Sequence, residues 1–195
     1  MRNLAFFIAF TSSLLIGCAG RDEGLTAIQA DIVSDHEAVT QLSADDFLKL
    51  EKSDILLLDI REPEEYAVSR LPGAVRVDPN ASAATLIHMG DVTGKKIIVY
   101  CSVGRRSSIF AEREQTALMK MGAASVSNLE HGIFGWHNDR RELIDANGKT
   151  DAVHPYNEIW KRYVKRDEKA RYTPCLLYTS PSPRDLSTSR MPSSA

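Results

Sequence analysis

Two runs of consecutive apolar residues, each bounded by polar ones, organise the middle of the chain: "DILLLDI" from Asp54 and "KKIIVYC" from Lys95. Runs that are apolar on both faces read as buried strands of a parallel sheet, whereas a half-exposed strand alternates. "LPGAVRVD" reads as a turn and a short strand, and "ASVSNLE" as a further strand. Helical patterns separate them. "SADD", beginning at Ser43, is a capping box that opens a short helix running to Leu50. "EPEEYAV" starts a helical turn with Pro63 near its first position, where a missing N–H costs nothing. "ASAATLIHMGD" reads as a helix, and "IFGWHND" opens another. "RRSSIFAEREQTALMKMG" is the longest, with Ile109, Phe110, Ala117, Leu118 and Met121 as its apolar positions and Gly122 closing it. Strands alternating with helices predict an α/β fold, a mainly parallel central sheet with helices on both faces.

The ends of the chain read differently. "MRNLAFFIAFTSSLLIGC" has a basic Arg2, an apolar run over residues 4–16, then Gly17 and Cys18. The run is too short for a stable membrane span and reads as an export signal. "LIGC" resembles the lipobox of bacterial lipoproteins, in which the cysteine is acylated and becomes the first residue. By that resemblance residues 1–17 are a signal peptide and Cys18 carries the lipid; the rest of 18–38, polar and acidic with a weak helical period, reads as a tether and a lead-in helix. Several acyl chains hold a protein stably on a membrane. No aspartate follows Cys18, which favours the outer membrane and a periplasm-facing protein. At the other end, "CLLYTSPSPRDLSTSRMPSSA", residues 175–195, is rich in Ser and Pro and has no apolar period. It resembles the translation of a transposase sequencing adapter, so it is expected to be read-through rather than natural sequence.

Setting both ends aside changes the charge and cysteine arithmetic. Lys plus Arg falls from 24 to 21 with Arg2, Arg184 and Arg190 removed, and Asp plus Glu from 26 to 25 with Asp185 removed. The remainder is mildly acidic and offers no basic footprint for nucleic acid. Of three cysteines, Cys101 is left alone. An unpaired cysteine in an oxidising compartment is a liability unless it is used.

Cys101 sits where use is favoured. It ends a predicted central strand, and a helix begins within a few residues. Open α/β sheets bind ligands beyond the carboxyl ends of their strands. A helix N-terminus there offers N–H groups and positive dipole charge, which favour a thiolate. In "CSVGRRSS", Gly104 permits a tight turn, and Arg105 and Arg106 bring formal charge and forked donors suited to an oxyanion. Ser107 and Ser108 are expected to cap the helix. The pattern describes an anion-receptive cradle around a nucleophile. A disulfide oxidoreductase would place a second cysteine at Gly104.

These residues resemble the single-domain rhodanese family. "LLLDIREPEEYAVSRLPGAVRV" resembles its upstream signature, "CSVGRRS" its active-site loop and "NLEHGIFGWHN" its downstream signature, in the right order and over residues 39–143. The resemblance implies a rhodanese domain over 39–145, followed by an extension over 146–174 in which "VHPYNEIW" resembles that of some exported members. It implies sulfur transfer from thiosulfate or a similar anionic donor, through a Cys101 persulfide, to cyanide or a thiol, without metal or organic cofactor. The persulfide would rest among the N–H groups of Ser102, Val103, Gly104, Arg105 and Arg106, with the two arginines on the donor's anionic end. Asp59, Arg61 and Glu65 would support the site from the end of the first strand. An alternative role is a persulfide carrier or redox interaction module that delivers sulfur to a docked protein. Phosphatases and arsenate reductases of this fold have a longer loop with an arginine where Ser107 stands.

Two positions depart from the family pattern. Arg70 replaces a frequent histidine before the "PGA" turn, and His131 replaces the first glycine of the downstream signature. His131 either lines the pocket mouth or serves as a turn residue, the second being favoured. His88, His131, His137 and His154 show no metal-ligand spacing. In "YNEIWKRYVKRDEKARY", Tyr156, Ile159, Trp160, Tyr163 and Val164 recur at helical spacing and predict a helix packed by its aromatic face.

Overall fold

The computed structural model describes residues 20–86 and 91–174. The proposed signal peptide, Cys18, His88 and the 175–195 tail lie outside the described residues.

Five parallel strands form the sheet: β1 (Thr40–Leu42), β2 (Ile55–Asp59), β3 (Val75–Arg76), β4 (Lys96–Tyr100) and β5 (Ser125–Leu129), in the spatial order β1-β5-β4-β2-β3. The two apolar runs become β2 and β4, which pair in register from Ile55 opposite Lys96 to Asp59 opposite Tyr100. Period-two alternation sends neighbouring side chains to opposite faces. Ile97, Val99 and Cys101 share one apolar cluster with Phe110, Ala111 and Leu118 of α5 (Arg105–Lys120). Ile98 and Tyr100 join Ile133, Phe134 and Trp136 of α6 (Gly132–Asn138) on the other face. Helices therefore cover both faces, as expected. Each fully buried aliphatic side chain contributes roughly 1.5–3 kcal/mol. Ile109, expected on the apolar stripe of α5, is exposed.

The shorter helices follow their local signals. Ser43 caps α2 (Ala44–Leu48), accepting from the Asp46 N–H. Pro63 opens α3 (Pro63–Val68), which carries a capping box between Glu62 and Glu65. Two residues of the "ASAATL" segment meet α5 directly: the Ala83 N–H, at the start of α4 (Ala83–Leu86), donates to Glu114 Oε2 at 2.6 Å, and the Ala81 carbonyl accepts from Arg113 Nη2 at 2.8 Å.

The lead-in segment is a full helix, α1 (Gly20–Asp35), and it packs on the domain: Leu25 is 4% exposed and Ile32 is fully buried. After α6, a hairpin of β6 (Leu143–Ile144) and β7 (Lys149–Thr150) attaches through a bridge between Ile144 and Arg70. The helix expected from Tyr156 to Val164 is a single turn, α7 (Glu158–Lys161). Asn157 starts it, accepting from the N–H groups of Ile159 and Trp160. The tight i→i+3 bonds of Tyr163 and Val164 then turn the chain, and Lys165 N–H donates to Asn138 Oδ1. Val164 thereby reaches the core with no exposure, while Ile159 is 66% exposed.

Candidate active site

Cys101 follows β4 directly, and the chain turns at once into the 16-residue α5. The turn depends on Gly104, whose φ of 98° lies in the left-handed region; a Cβ there would meet Asn128 Nδ2 at 3.1 Å. With that conformation the Gly104 N–H donates to Cys101 Sγ at 3.3 Å. Gly104 is the N-cap of α5, so the N–H groups of Arg105, Arg106 and Ser107 have no acceptor within the helix. Cys101 Sγ sits under the positive end of the dipole. Ser102 and Val103 complete the buried loop.

This geometry corrects one expectation. Ser107 and Ser108 do not cap α5; both lie inside its first turns and are buried. The helix starts earlier than the serines suggest because glycine itself takes the cap position. Ser107 Oγ instead donates to the Gly104 carbonyl at 3.1 Å, and Ser108 Oγ accepts from Gln41 Nε2.

The two arginines part company. Arg106 donates to both oxygens of Glu65, at 3.0 and 2.9 Å, and to Ser102 Oγ at 2.9 Å. Ser102 Oγ donates to Glu65 Oε1 at 2.8 Å, closing the ring. Burial opposes the charge of each partner. It is outweighed at Arg106 by the Glu65 carboxylate and the nearby Cys101, which hold the guanidinium above its ordinary value. At Glu65, Arg106 and then Arg61 hold the carboxyl below the usual range despite burial. Arg105 turns the other way, toward Asp35 at 3.4 Å and Asp31 at 3.9 Å on α1. The structure thus brings Arg106 to the Cys101 loop and sends the Arg105 side chain to α1.

Asp59, Arg61 and Glu65 converge behind the loop. Arg61 is fully buried and donates from Nε and Nη2 to Asp59 at 2.9 and 2.6 Å, and from Nη2 to the Ser69 carbonyl at 2.7 Å. Burial works against the Arg61 charge, but the Asp59 carboxylate, with Tyr100 and Glu65 beside it, outweighs burial and holds the guanidinium above its ordinary value. Tyr100 hydroxyl donates to Asp59 Oδ2 at 2.6 Å and accepts from the Leu71 N–H. Burial first, then Asp59, keep that phenol protonated far above its ordinary value. Nothing in the sequence pointed to Tyr100 beyond its place in an apolar strand.

The downstream signature closes the loop from the other side. Ile133 N–H donates to the Cys101 carbonyl at 2.9 Å and Phe134 N–H to the Ser102 carbonyl at 3.0 Å. Gly132 permits this approach: a Cβ on it would sit 2.3 Å from the Cys101 oxygen. His131, the family departure, has φ 59° at the N-cap of α6, a conformation that glycine adopts freely. It lines a cleft of about 320 Å³ between α1, α2 and α6, together with Leu25, Asp45, Glu130 and Arg141. Cys101 is not in that lining, and the position is a turn position.

The chain after β7 brings two further residues near the site that no active-site motif in the sequence marks. His154 is 8% exposed and accepts the Tyr156 N–H at Nδ1, 3.0 Å away. Burial lowers its pKa below the ordinary histidine value. The Tyr156 ring lies 4.9 Å from the Arg106 guanidinium carbon.

The sequence matches the rhodanese-like domain over residues 43–139. It is 31% identical over 115 residues to a sulfurtransferase of Allochromatium vinosum, covering 58% of this chain and 95% of that one. The chain belongs to the rhodanese-like family. A second relative, the adenylyltransferase and sulfurtransferase UBA4 of Meyerozyma guilliermondii, is 30% identical over 105 residues, covering 51% of this chain and 24% of that protein. Among solved structures, it is similar to a thiosulfate sulfurtransferase from Pseudomonas aeruginosa at 19% identity and TM-score 0.48, covering 73% of this chain and 26% of that one. It is also similar to a rhodanese-related protein from Thermoplasma volcanium at 21% identity and TM-score 0.42, covering 54% and 97%. The five-stranded parallel sheet with helices on both faces is its rhodanese-like fold. The matched region ends at 139, so Tyr156 reaches Arg106 from outside it.

Proposed function

We propose that this rhodanese-like protein moves sulfane sulfur from thiosulfate, or a similar anionic donor, through a persulfide on Cys101 to cyanide or a thiol. The observation that carries the reading is the Cys101 Sγ receiving the Gly104 N–H at 3.3 Å at the start of α5. A nucleophile in that position is favoured as the thiolate. Its electron pair attacks the outer sulfur of thiosulfate, a new S–S bond forms, and the old one breaks to release sulfite. The acceptor then attacks the terminal persulfide sulfur, leaves as thiocyanate or a persulfide, and returns the Cys101 thiolate. This is covalent catalysis in two half-reactions. The N–H groups of the loop stabilise charge where it develops.

Arg106 contributes its positive charge beside the thiolate while its N–H groups hold Glu65 and Ser102. The donor's sulfonate is received by the backbone N–H groups of 102–106 in this reading. Asp59, Arg61 and Glu65 fix the loop from behind. The proposed setting is the bacterial envelope, with Cys18 acylated and the domain facing the periplasm. The acceptor there is a small thiol or a thiol on a protein.

Initial rates with thiosulfate and cyanide varied together test the reading. Parallel double-reciprocal lines, and no thiocyanate from Cys101→Ser, are expected. Intersecting lines, or turnover that survives Cys101→Ser, would overturn it.

A further inference from the structure

Tyr156 has φ 65°, in the left-handed region that a bulky side chain occupies at a cost. The Asn157 N–H donates to the Pro155 carbonyl at 2.8 Å, so Tyr156 is the central residue of a positive-φ γ-turn, a rare and strained form. Strain of this kind persists only where its surroundings impose it. Both flanks are fixed. Val153 is fully buried, donates to the Lys169 carbonyl at 3.2 Å and accepts from the Arg171 N–H at 3.0 Å. His154 Nδ1 takes the Tyr156 N–H, and Asn157 caps α7.

The turn delivers the Tyr156 ring to Arg106. The N–H groups of that guanidinium are committed to Glu65 and Ser102, and its carbon lies over the aromatic ring, 4.9 Å from the ring centre. An aromatic face attracts a cation and excludes water from it. Arg106 is therefore fixed on two sides, and its side chain is 29% exposed although the ring is a surface group, Tyr156 being 45% exposed. The partners of Arg106 are the residues that hold the Cys101 loop.

We propose that Tyr156 is a positioning residue for sulfur transfer: by packing on Arg106 in its imposed turn, it keeps that charge beside Cys101 and selects for anionic reagents at the thiol. The proposal rests on the sulfur-transfer reading of the site. It assigns a role to the chain beyond the family's matched region, which ends at 139.

The test compares the parent with Tyr156→Phe, Tyr156→Ala and Tyr156→Gly. Glycine accepts the positive φ, so Tyr156→Gly removes the ring while relieving the turn. Alkylation rates with iodoacetate and iodoacetamide are measured at Cys101 by peptide mass, because the sequence holds 3 cysteines. The ratio of the two rates reports the charge at the thiol, and a loss of folding would move both rates together. Loss of the ring is expected to lower the iodoacetate preference by about threefold or more in both Ala and Gly variants, with Phe near the parent. A smaller fall, no change, or a rise in Tyr156→Gly would overturn the proposal. So would a Phe variant as impaired as Ala. Thiosulfate loading of the parent is followed in parallel. If the parent takes no sulfur but the ratio falls as expected, the donor assignment fails and the positioning role stands.

Discussion

Arg106 donates two hydrogen bonds to Glu65, from Nη1 to Oε2 at 3.0 Å and from Nη2 to Oε1 at 2.9 Å, joining the start of α5 to the first turn of α3. A two-point contact of this kind fixes orientation as well as distance. It ties the loop after β4 to the segment after β2, and both segments emerge at the carboxyl end of the sheet.

The pair has a pH signature. Glu65 titrates below the ordinary carboxylate range because Arg106 and Arg61 outweigh the effect of burial. A carboxyl with a depressed folded-state value stabilises above its unfolded pKa, about 4.3, and loses that contribution as pH falls through the folded value. Glu65→Gln is expected to cost about 2 kcal/mol at pH 7, below the figure for a fully buried pair because Arg106 is 29% exposed. Urea unfolding near pH 7 and again well below the ordinary carboxylate range checks this. The gap between parent and variant should close in acid; a constant or widening gap contradicts it.

Asp59 compensates a guanidinium with no solvent exposure. Its removal strands that charge, so Asp59→Ala is expected to lose about 3–5 kcal/mol. Tyr100→Phe removes the hydroxyl's bond to the same carboxylate and the one it accepts from the Leu71 N–H, and should lose less, about 2–3 kcal/mol. Chemical denaturation of both variants measures the difference. Equal losses would mean that the ion pair carries no special weight.

Adjacent residues at the start of α6 should respond in opposite directions. His131, at φ 59°, occupies a conformation that favours glycine, and His131→Gly should raise stability by about 1 kcal/mol. Gly132→Ala should lower it by more than about 3 kcal/mol, because the new Cβ would fall 2.3 Å from the Cys101 carbonyl oxygen. Melting temperatures of the two variants decide. A destabilised His131→Gly would show that the imidazole makes contacts worth more than the backbone strain.

Arg105 and Arg106 are neighbours with different duties. Arg105→Ala breaks only exposed contacts to Asp31 and Asp35, and should change stability by no more than about 0.5 kcal/mol and thiocyanate formation by less than about threefold. Arg106→Ala should lower thiocyanate formation by about a hundredfold. Similar losses in both would restore Arg105 to the donor site.

The sequence made this difference hard to see. Two consecutive arginines at a helix start look equivalent in one dimension, and only the 100° step around α5 separates them. Cys101 was legible because an apolar strand ends on it and Gly104 follows at the turn. Asp59, Arg61 and Glu65 were legible through the family's upstream signature. The serine caps were not, because Ser107 and Ser108 resemble caps by type while the left-handed Gly104 takes the position. β1 is only three residues long, too short to carry a period, and it pairs with β5 from far along the chain. Leu25, Ile28 and Ile32 did carry a helical spacing for α1, but its burial depends on partners elsewhere in the chain. Tyr156 reaches Arg106 through a backbone conformation that no sequence period reports.

The most direct test of the account is the intact mass of the protein after incubation with thiosulfate, beside Cys101→Ser. The account predicts a gain of one sulfur atom on the parent only, discharged by cyanide as thiocyanate. A folded parent with a free Cys101 thiol that gains no sulfur, or a Cys101→Ser variant that gains it equally, would contradict the claim that Cys101 carries the sulfur.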